Sequence, residues 1–226
     1  MLNITEVFPR GLIVSCQALK HEPLYGSEIM AKMAIAAQVG GAVGIRANTP
    51  EDITAIHAAV KLPIIGIYKV DIEGSEVYIT PTFESAKQIA NCGVSMIAVE
   101  ATNRVRPEPL DRLIGRIKDE LGLPVMADCS NFEEAMQANK FGADVISSTM
   151  AGYTSYTVKT EGPDLDLLKR MIDANVAPVI AEGRYHYPNQ VAEALSMGAH
   201  AVVVGGAITR PLEITTRFVS AINHLI

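Results

Sequence analysis

The chain contains no tryptophan and only three cysteines, and it has no excess of basic residues. An odd number of cysteines without metal-ligand spacing predicts neither a disulfide framework nor a zinc site, and it favours the reducing cytoplasm. Cys16 and Cys129 are expected to pack in the core as small apolar side chains. The formal net charge of −6 comes without a visible basic patch. Nucleic acid is therefore not an expected partner.

Long apolar runs and several short catalytic motifs are also missing. No stretch reaches the roughly 18 apolar residues of a membrane span, so no membrane association is expected. The N-terminus lacks the basic and apolar regions of a secretion signal. The five histidines follow no metal-site spacing, and no serine or cysteine lies in a nucleophile elbow. The sequence therefore predicts neither a metal site nor a catalytic triad.

Eight short apolar, β-branched runs are present, each followed by a segment of helical periodicity. Successive runs lie roughly 20 to 35 residues apart, the length of one strand-helix unit. Nearly continuous hydrophobicity is typical of parallel strands that are buried on both faces. The runs are GLIVSCQ (11–17), AVGIRAN (42–48), PIIGIYK (63–69), SMIAVEA (95–101), PVMADC (124–129), DVISST (144–149), PVIAEG (178–183) and AVVVGG (201–206).

These units predict the α/β class and a single (β/α)8 TIM barrel. Residues 1–226 are predicted to form one domain. The first ten residues are predicted to form a short helix under the barrel floor. The competing architecture, an open doubly wound sheet, usually has about five to seven strands and an early GxGxxG motif, which is absent. Residues 71–80 are expected to form an extended flap. Residues 150–163 have a length that is typical of a loop covering a ligand.

The ends of the predicted strands carry most of the reactive side chains, and in a closed parallel barrel these ends meet at one rim. Lys69 ends the third run after an apolar stretch, where desolvation would lower its pKa and make it a base or a Schiff-base nucleophile. Glu182 ends the seventh run, where burial would keep it protonated enough to donate. Taken alone, Lys69 could simply extend to solvent at the rim, and Glu182 could be a salt-bridge partner. Together they favour proton transfer next to a carbonyl.

The segments AEGR (181–184) and VGGAITRP (204–211) follow the last two strands, where such barrels commonly bind phosphate. Glycine lets backbone N–H groups approach oxygen, and a helix N-terminus favours negative charge. Arg210 would add a charge-assisted contact. The alternative is that the glycines only make tight turns and that Arg210 is solvated. The sequence favours a phosphate site at Gly183, Gly205, Gly206 and Arg210.

Three further polar residues stand at predicted strand ends. Arg46 and Asp128 either pair across the barrel mouth or contact the substrate directly, and the sequence leaves both open. Gln17 can hydrogen-bond hydroxyl or amide groups of a ligand, or it can cap the loop that follows it.

The segments GLIVSCQAL, GGAVGIRAN, PIIGIYK, MAD at 126–128, GYTSYT, VIAEG and VVGGAITRP resemble the N-acylglucosamine-6-phosphate 2-epimerase family. The resemblance covers about residues 11 to 220. It implies an isomerase that converts N-acetylmannosamine 6-phosphate to N-acetylglucosamine 6-phosphate in sialic acid catabolism. It also implies that no cofactor takes part, and that the partner is a small phosphorylated amino sugar.

The resemblance implies a role for each candidate residue. Lys69 takes the C2 proton of the open-chain sugar and returns it, while Glu182 shares a proton with the carbonyl oxygen. Arg46 and Asp128 orient substrate oxygens, and Gln17 lies near the sugar or its acetamido group. The phosphate rests on the four residues at the glycine-rich segments, Gly183, Gly205, Gly206 and Arg210. The chain departs from the family pattern at Val70, where many members have arginine, and at Glu100, where aspartate is expected.

Two other functions are compatible with the same residues. Lys69 would form a Schiff base in a phosphosugar aldolase, and a barrel that only binds phosphosugars would need no proton transfer. Apolar residues on the outer helices, including the stretch 30–34, are consistent with a homodimer.

Overall fold

The computed structural model describes residues 4–223, and its eight parallel strands close into a barrel in chain order. The predicted (β/α)8 TIM barrel is confirmed. Each strand pairs with its sequence neighbour, and the last strand pairs with the first from Gly11–Ala201 to Val14–Val204. The strands are β1 Gly11–Cys16, β2 Gly44–Asn48, β3 Ile64–Ile67, β4 Met96–Glu100, β5 Val125–Asp128, β6 Val145–Ser147, β7 Val179–Glu182 and β8 Ala201–Val204.

Helices alternate with the strands, and a short helix precedes the first strand as predicted. The helix after β2 begins at Pro50, whose fixed φ suits the first helical position. Its N-cap Thr49 accepts a hydrogen bond from the N–H of Asp52 at 3.3 Å. The helices are α1 Ile4–Val7, α2 Ser27–Val39, α3 Pro50–Ala59, α4 Phe83–Ala90, α5 Leu110–Leu121, α6 Phe132–Lys140, α7 Leu165–Ala174, α8 Pro188–Met197 and α9 Pro211–Ile222. Across residues 4–223, no helix combines the length and apolar character needed to cross a bilayer.

The apolar residues form two layers, one inside the barrel and one between strands and helices. The inner layer includes Ile13, Ile65 and Met126, and Phe8 closes the floor below it. Both faces of the strands are therefore covered, which is why the strand sequences are almost continuously hydrophobic. Cys16 and Cys129 are fully buried in the outer layer, as predicted.

The segment after β3 turns back as the predicted extended flap. Lys69 forms an antiparallel bridge with Ile79, and the N–H of Val70 donates to the carbonyl of Tyr78 at 3.0 Å. The buried carboxylate of Glu100 holds the flap by accepting from the N–H of Tyr78 at 3.1 Å. The flap therefore fixes the backbone of Lys69 at the rim.

Residues 150–163 form a series of turns at the same rim. Arg184 holds this segment through carbonyl groups at both of its ends. Its Nη1 donates to the carbonyl of Ala151 at 2.6 Å, and its Nε donates to that of Gly162 at 3.0 Å. Its guanidinium also lies over the ring of Tyr153. The segment is therefore tied to the residue that follows Gly183.

Candidate active site

The carboxyl ends of the strands surround a pocket of about 320 Å³, which is in the size range of small-molecule sites. Eight of the nine predicted site residues line it: Gln17, Arg46, Lys69, Glu182, Gly183, Gly205, Gly206 and Arg210. The ninth, Asp128, is fully buried beneath Arg46 and is absent from the lining. The structure thus places Asp128 behind the pocket wall and not in direct reach of a ligand.

Lys69 follows β3 and is held through its backbone, whose N–H donates to Oδ1 of Asn48 at 2.9 Å. Burial, with the positive charge of Arg46 as the second cause, lowers the pKa of Lys69 to about 8. Within residues 4–223 the amine forms no hydrogen bond or ion pair. A lysine with a pKa of about 8 is roughly one-tenth neutral at pH 7, and the neutral amine can accept a proton.

Glu182 ends β7 with its side chain only 16% exposed. Its Oε2 lies 2.9 Å from Nη1 of Arg46 and 3.2 Å from Oγ1 of Thr149. Burial raises the pKa of Glu182 well above its usual range, even though Arg46 acts in the opposite direction. The hydroxyl of Ser148 fixes the backbone of this residue at both its N–H and its carbonyl. Glu182 can therefore hold a proton near neutral pH and donate it.

Arg46 links the two carboxylates. It is 1% exposed, and its Nη1 and Nη2 lie 3.0 and 2.6 Å from the two oxygens of Asp128. The pairing of Arg46 with Asp128 left open by the sequence is thus present. The hydroxyl of Thr149 lies 2.7 Å from Asp128, and a hydroxyl has one proton to give. If that proton goes to Asp128, the oxygen of Thr149 is left to accept one from a protonated Glu182.

The other end of the pocket presents backbone donors. Gly183, with φ of 106°, turns the chain after β7, and Gly206 follows β8. In the described part of the chain, the N–H groups of Gly183, Gly206 and Ala207 have no hydrogen-bond acceptor. Arg210 stands just before the N-terminus of α9. Free amides, a guanidinium and a helix N-terminus together suit an anion such as phosphate.

Gln17 also lines the pocket. Its Nε2 donates to Oγ of Ser15 at 2.7 Å. Its buried Oε1 has no hydrogen-bond partner in the part of the chain that the structure describes. A buried acceptor without a partner is unusual in a folded protein. This oxygen is therefore available to accept from a hydroxyl or an amide of a ligand.

Several residues of this pocket have no role that the sequence predicts. Thr149 was visible at the end of the sixth run, but nothing in the sequence indicated that it contacts both Asp128 and Glu182. Tyr78 and Tyr153 reach the pocket from the flap and from the 150–163 segment, and only the length of these insertions pointed to them. Glu22 and Glu213 also line it, and an acidic residue at an anion site has no sequence signal.

A closed parallel barrel whose rim joins a desolvated lysine to a buried glutamate has the form of a TIM-barrel enzyme. Residues 30–224 match the family model described as "Putative N-acetylmannosamine-6-phosphate epimerase". The chain belongs to this family of carbohydrate epimerases.

Individual relatives agree over nearly the whole length. A protein of Caldanaerobacter subterraneus subsp. tengcongensis, named "Putative N-acetylmannosamine-6-phosphate 2-epimerase", is 48% identical over 99% of this chain and 95% of its own. A protein of Clostridioides difficile with the same name is 50% identical, over 94% of this chain and 96% of its own. The solved N-acetylmannosamine-6-phosphate 2-epimerase from Clostridium perfringens superimposes with a TM-score of 0.93 at 44% identity, and 96% of each chain is covered.

Proposed function

We propose that the protein converts N-acetylmannosamine 6-phosphate to N-acetylglucosamine 6-phosphate in sialic acid catabolism. The observation that carries the proposal is the arrangement of Lys69 and Glu182 on the wall of one pocket that ends in free amides and Arg210. The substrate comes from the names of the relatives that are about half identical to this chain. The reaction needs one base and one acid, and the surroundings of Lys69 and Glu182 support these two roles.

Lys69 is the base of the proposed mechanism. The C1 aldehyde of the open-chain sugar makes the neighbouring C2–H bond acidic. The neutral amine of Lys69 takes this proton, and the electron pair of the broken bond moves into a C1–C2 double bond as the carbonyl oxygen gains negative charge. Return of the proton to the opposite face of C2 gives the epimer. The lowered pKa of Lys69 supports this role, because a base works best with a pKa near the working pH.

Glu182 supplies the acid. Its carboxyl donates a proton to the carbonyl oxygen as charge develops there, and it takes the proton back when C2 is reprotonated. The fixed charge of Arg46 beside it stabilises the enol or enolate through electrostatics that need no rearrangement. Asp128 acts through Arg46, because it holds the guanidinium in place from below. Arg46 and Asp128 thereby orient the substrate oxygens.

The remaining residues bind the substrate at a distance from C2. The phosphate lies against the amides at Gly183, Gly205 and Gly206 and is paired by Arg210. The unpartnered Oε1 of Gln17 accepts from a sugar hydroxyl or the acetamido N–H. These contacts persist throughout the reaction, so they contribute uniform binding and affect KM more than kcat.

The test is proton NMR of N-acetylmannosamine 6-phosphate with the enzyme in D₂O. We expect the gluco epimer to appear with deuterium at C2, because the abstracted proton exchanges with solvent. Unchanged substrate with no deuterium uptake would overturn the proposal. Borohydride treatment with substrate present separates it from the aldolase reaction. An aldolase would lose activity and gain mass at Lys69, whereas an epimerase that uses a free amine would not.

We also propose that the chain folds as a single domain and that the protein is a cytoplasmic homodimer. Within the stretch 30–34, Met30 and Ala34 are fully buried in the chain, so these two side chains are not available to a partner. Helix α9 is the better candidate, since none of its described residues is buried. Its exposed apolar side chains are Leu212, Phe218, Val219 and Ile222. Pairing of this helix with a second copy would remove that surface from water.

A further inference from the structure

Two carboxylates lie at the end of the pocket where the phosphate is proposed to bind. Glu22 and Glu213 both line this end, and both form ion pairs with Arg210. A phosphate that enters the pocket therefore meets an arginine that is already paired and two negative charges beside it. The two carboxylates differ in how firmly they are held.

Glu22 is a fixed partner of Arg210. Its side chain is 5% exposed, and its two oxygens accept from Nε, at 2.9 Å, and Nη2 of the guanidinium. The N–H of Leu19 donates to the same carboxylate at 3.1 Å. Burial acts to raise the pKa of Glu22, but the hydrogen bonds from Arg210 and Leu19 lower it below its usual range. Glu22 thus stays ionised and orients Arg210 from one side.

Glu213 is held less firmly. It is the third residue of α9, its side chain is 39% exposed, and its Oε1 pairs with Nη1 of Arg210. Its other oxygen lies against Gly206, so that a Cβ added at position 206 would overlap it. The side chain thus folds back from the helix onto the residues proposed to bind phosphate. Its flexible end is free to turn outward, because solvent is open to it on one side.

The geometry of the guanidinium shows which contact must change. Arginine has five N–H donors in a planar fork, and a phosphate pairs with two parallel ones. Glu22 takes the side that carries Nε and Nη2, which leaves the end that carries Nη1 and Nη2. Glu213 occupies Nη1 at that end. A phosphate that pairs with the Nη1 and Nη2 end of Arg210 requires the position that the Glu213 carboxylate takes at Nη1, beside Gly206.

We propose that Glu213 is a displaceable stand-in for the substrate phosphate. Its carboxylate occupies Nη1 of Arg210 and the side of Gly206 while the pocket is empty, and it swings into solvent when the phosphate binds. Glu22 remains in place as the positioning residue of Arg210. This inference rests on the proposed function, since it takes Arg210 and Gly206 as the phosphate subsite.

The stand-in has two effects on the reaction. It neutralises the anion site between turnovers, and it weakens the phosphate contact because an existing ion pair must be broken first. A partly exposed ion pair contributes on the order of 1 kcal/mol, so its loss alters affinity by about threefold to tenfold. The carboxylate that returns to Arg210 also favours release of the product.

Calorimetric titration with inorganic phosphate tests this directly. We expect Glu213→Gln to bind phosphate about threefold to tenfold more tightly than the unchanged protein. Glu84→Gln is the matched control, because Glu84 is also an exposed glutamate in the first turn of a helix but lies outside the pocket. It should leave the affinity unchanged. Equal or weaker phosphate binding by Glu213→Gln would overturn the proposal that Glu213 is a displaceable stand-in.

Steady-state kinetics with the sugar phosphate adds a second readout. Glu213→Gln should lower KM without raising kcat, since the change concerns binding and not proton transfer. A KM that is unchanged or raised in Glu213→Gln would contradict the proposal. Glu213→Ala repeats the test without an amide that can still hydrogen-bond Arg210.

Arg210→Ala separates failure of the inference from failure of the proposed function. If Arg210→Ala abolishes phosphate binding while Glu213→Gln changes nothing, only the stand-in is wrong. If Arg210→Ala binds phosphate as well as the unchanged protein does, the proposed phosphate subsite is wrong. The proposed role of Glu213 is then wrong as well.

Discussion

Lys69 carries its amine into a buried position where, among residues 4–223, no carboxylate pairs with it. A lysine whose pKa is lower in the folded chain than in the unfolded chain destabilises the fold at pH values where the unfolded chain binds the proton. The penalty is greatest below the folded pKa of about 8 and fades as pH rises through the ordinary value of 10.5. Burial of Lys69 thus reduces the stability of the fold at neutral pH, and the same burial lowers the pKa that its proposed role as a base requires.

Replacement of Lys69 by methionine separates these two effects. We expect Lys69→Met to lose at least a hundredfold in turnover, because a general base contributes about 10² to 10⁴. Its Tm at pH 7 should rise or stay equal, because the chain no longer buries an ammonium group. Turnover by NMR and thermal unfolding by circular dichroism measure the two quantities. A folded Lys69→Met that turns over normally would refute the role of Lys69.

The pH profile of turnover is set by Lys69 and Glu182 together. The productive form has a neutral lysine and a protonated glutamate, and the pKa values of both are shifted toward neutrality. We therefore expect a bell-shaped profile with its maximum near neutral pH. Glu182→Gln should lose most of its turnover, and its residual rate should rise with pH and then level off. A falling alkaline limb in Glu182→Gln would show that another group carries that proton.

We expect the fold to depend on the intact buried pair of Arg46 and Asp128. Arg46→Met would leave the fully buried Asp128 carboxylate without its cation. We expect a loss of about 3 to 5 kcal/mol in the free energy of unfolding, the usual cost of a broken buried pair. Urea unfolding measures it, with the exposed Arg112→Met as control. The double variant Arg46→Met, Asp128→Leu should recover part of the loss. A change in Arg46→Met no larger than in the control would contradict this assignment.

At the scale of elements, Arg184 on the loop after β7 helps to hold the neighbouring 150–163 segment. Arg184 bonds carbonyl groups at both ends of it. We expect Arg184→Ala to speed amide hydrogen exchange in residues 150–163 by at least about tenfold, because local opening would lose about 1.5 kcal/mol or more of resistance from charge-assisted bonds. Mass spectrometry locates the change, and Arg112→Ala serves as control. Unchanged exchange in the segment would show that other contacts hold it.

The strands and helices could be predicted because their signals are local. Each parallel strand is covered on both faces, so it is apolar along its whole length, and Thr49 with Pro50 marks a helix start by chemistry that needs no partner. The rim residues followed from strand ends alone. The position of Asp128 behind Arg46 did not follow, because a strand-end carboxylate can face either the pocket or a neighbouring strand. Glu22 and Arg210 pair across 188 positions, a contact that only the folded chain reveals.

At the scale of the whole molecule, the exposed apolar side of α9 predicts self-association. We expect light scattering to give twice the chain mass of 24.2 kDa for the unchanged protein. Phe218→Asp should shift the mass toward one chain, because Phe218 is 74% exposed on α9 and a charge there opposes burial. Val39→Asp, also exposed but on α2, should not. One chain mass for the unchanged protein would contradict the dimer.

The pairing of β8 with β1 also has a consequence for folding during synthesis. Residues Ala201–Val204 are synthesised about 190 residues after their neighbours Gly11–Val14. Until then one edge of β1 has open backbone hydrogen-bonding groups, and such an edge is a template for pairing with other chains. Contacts of this sequence separation also form slowly. The nascent chain therefore carries an aggregation hazard until β8 pairs with β1, and closure of the barrel removes it.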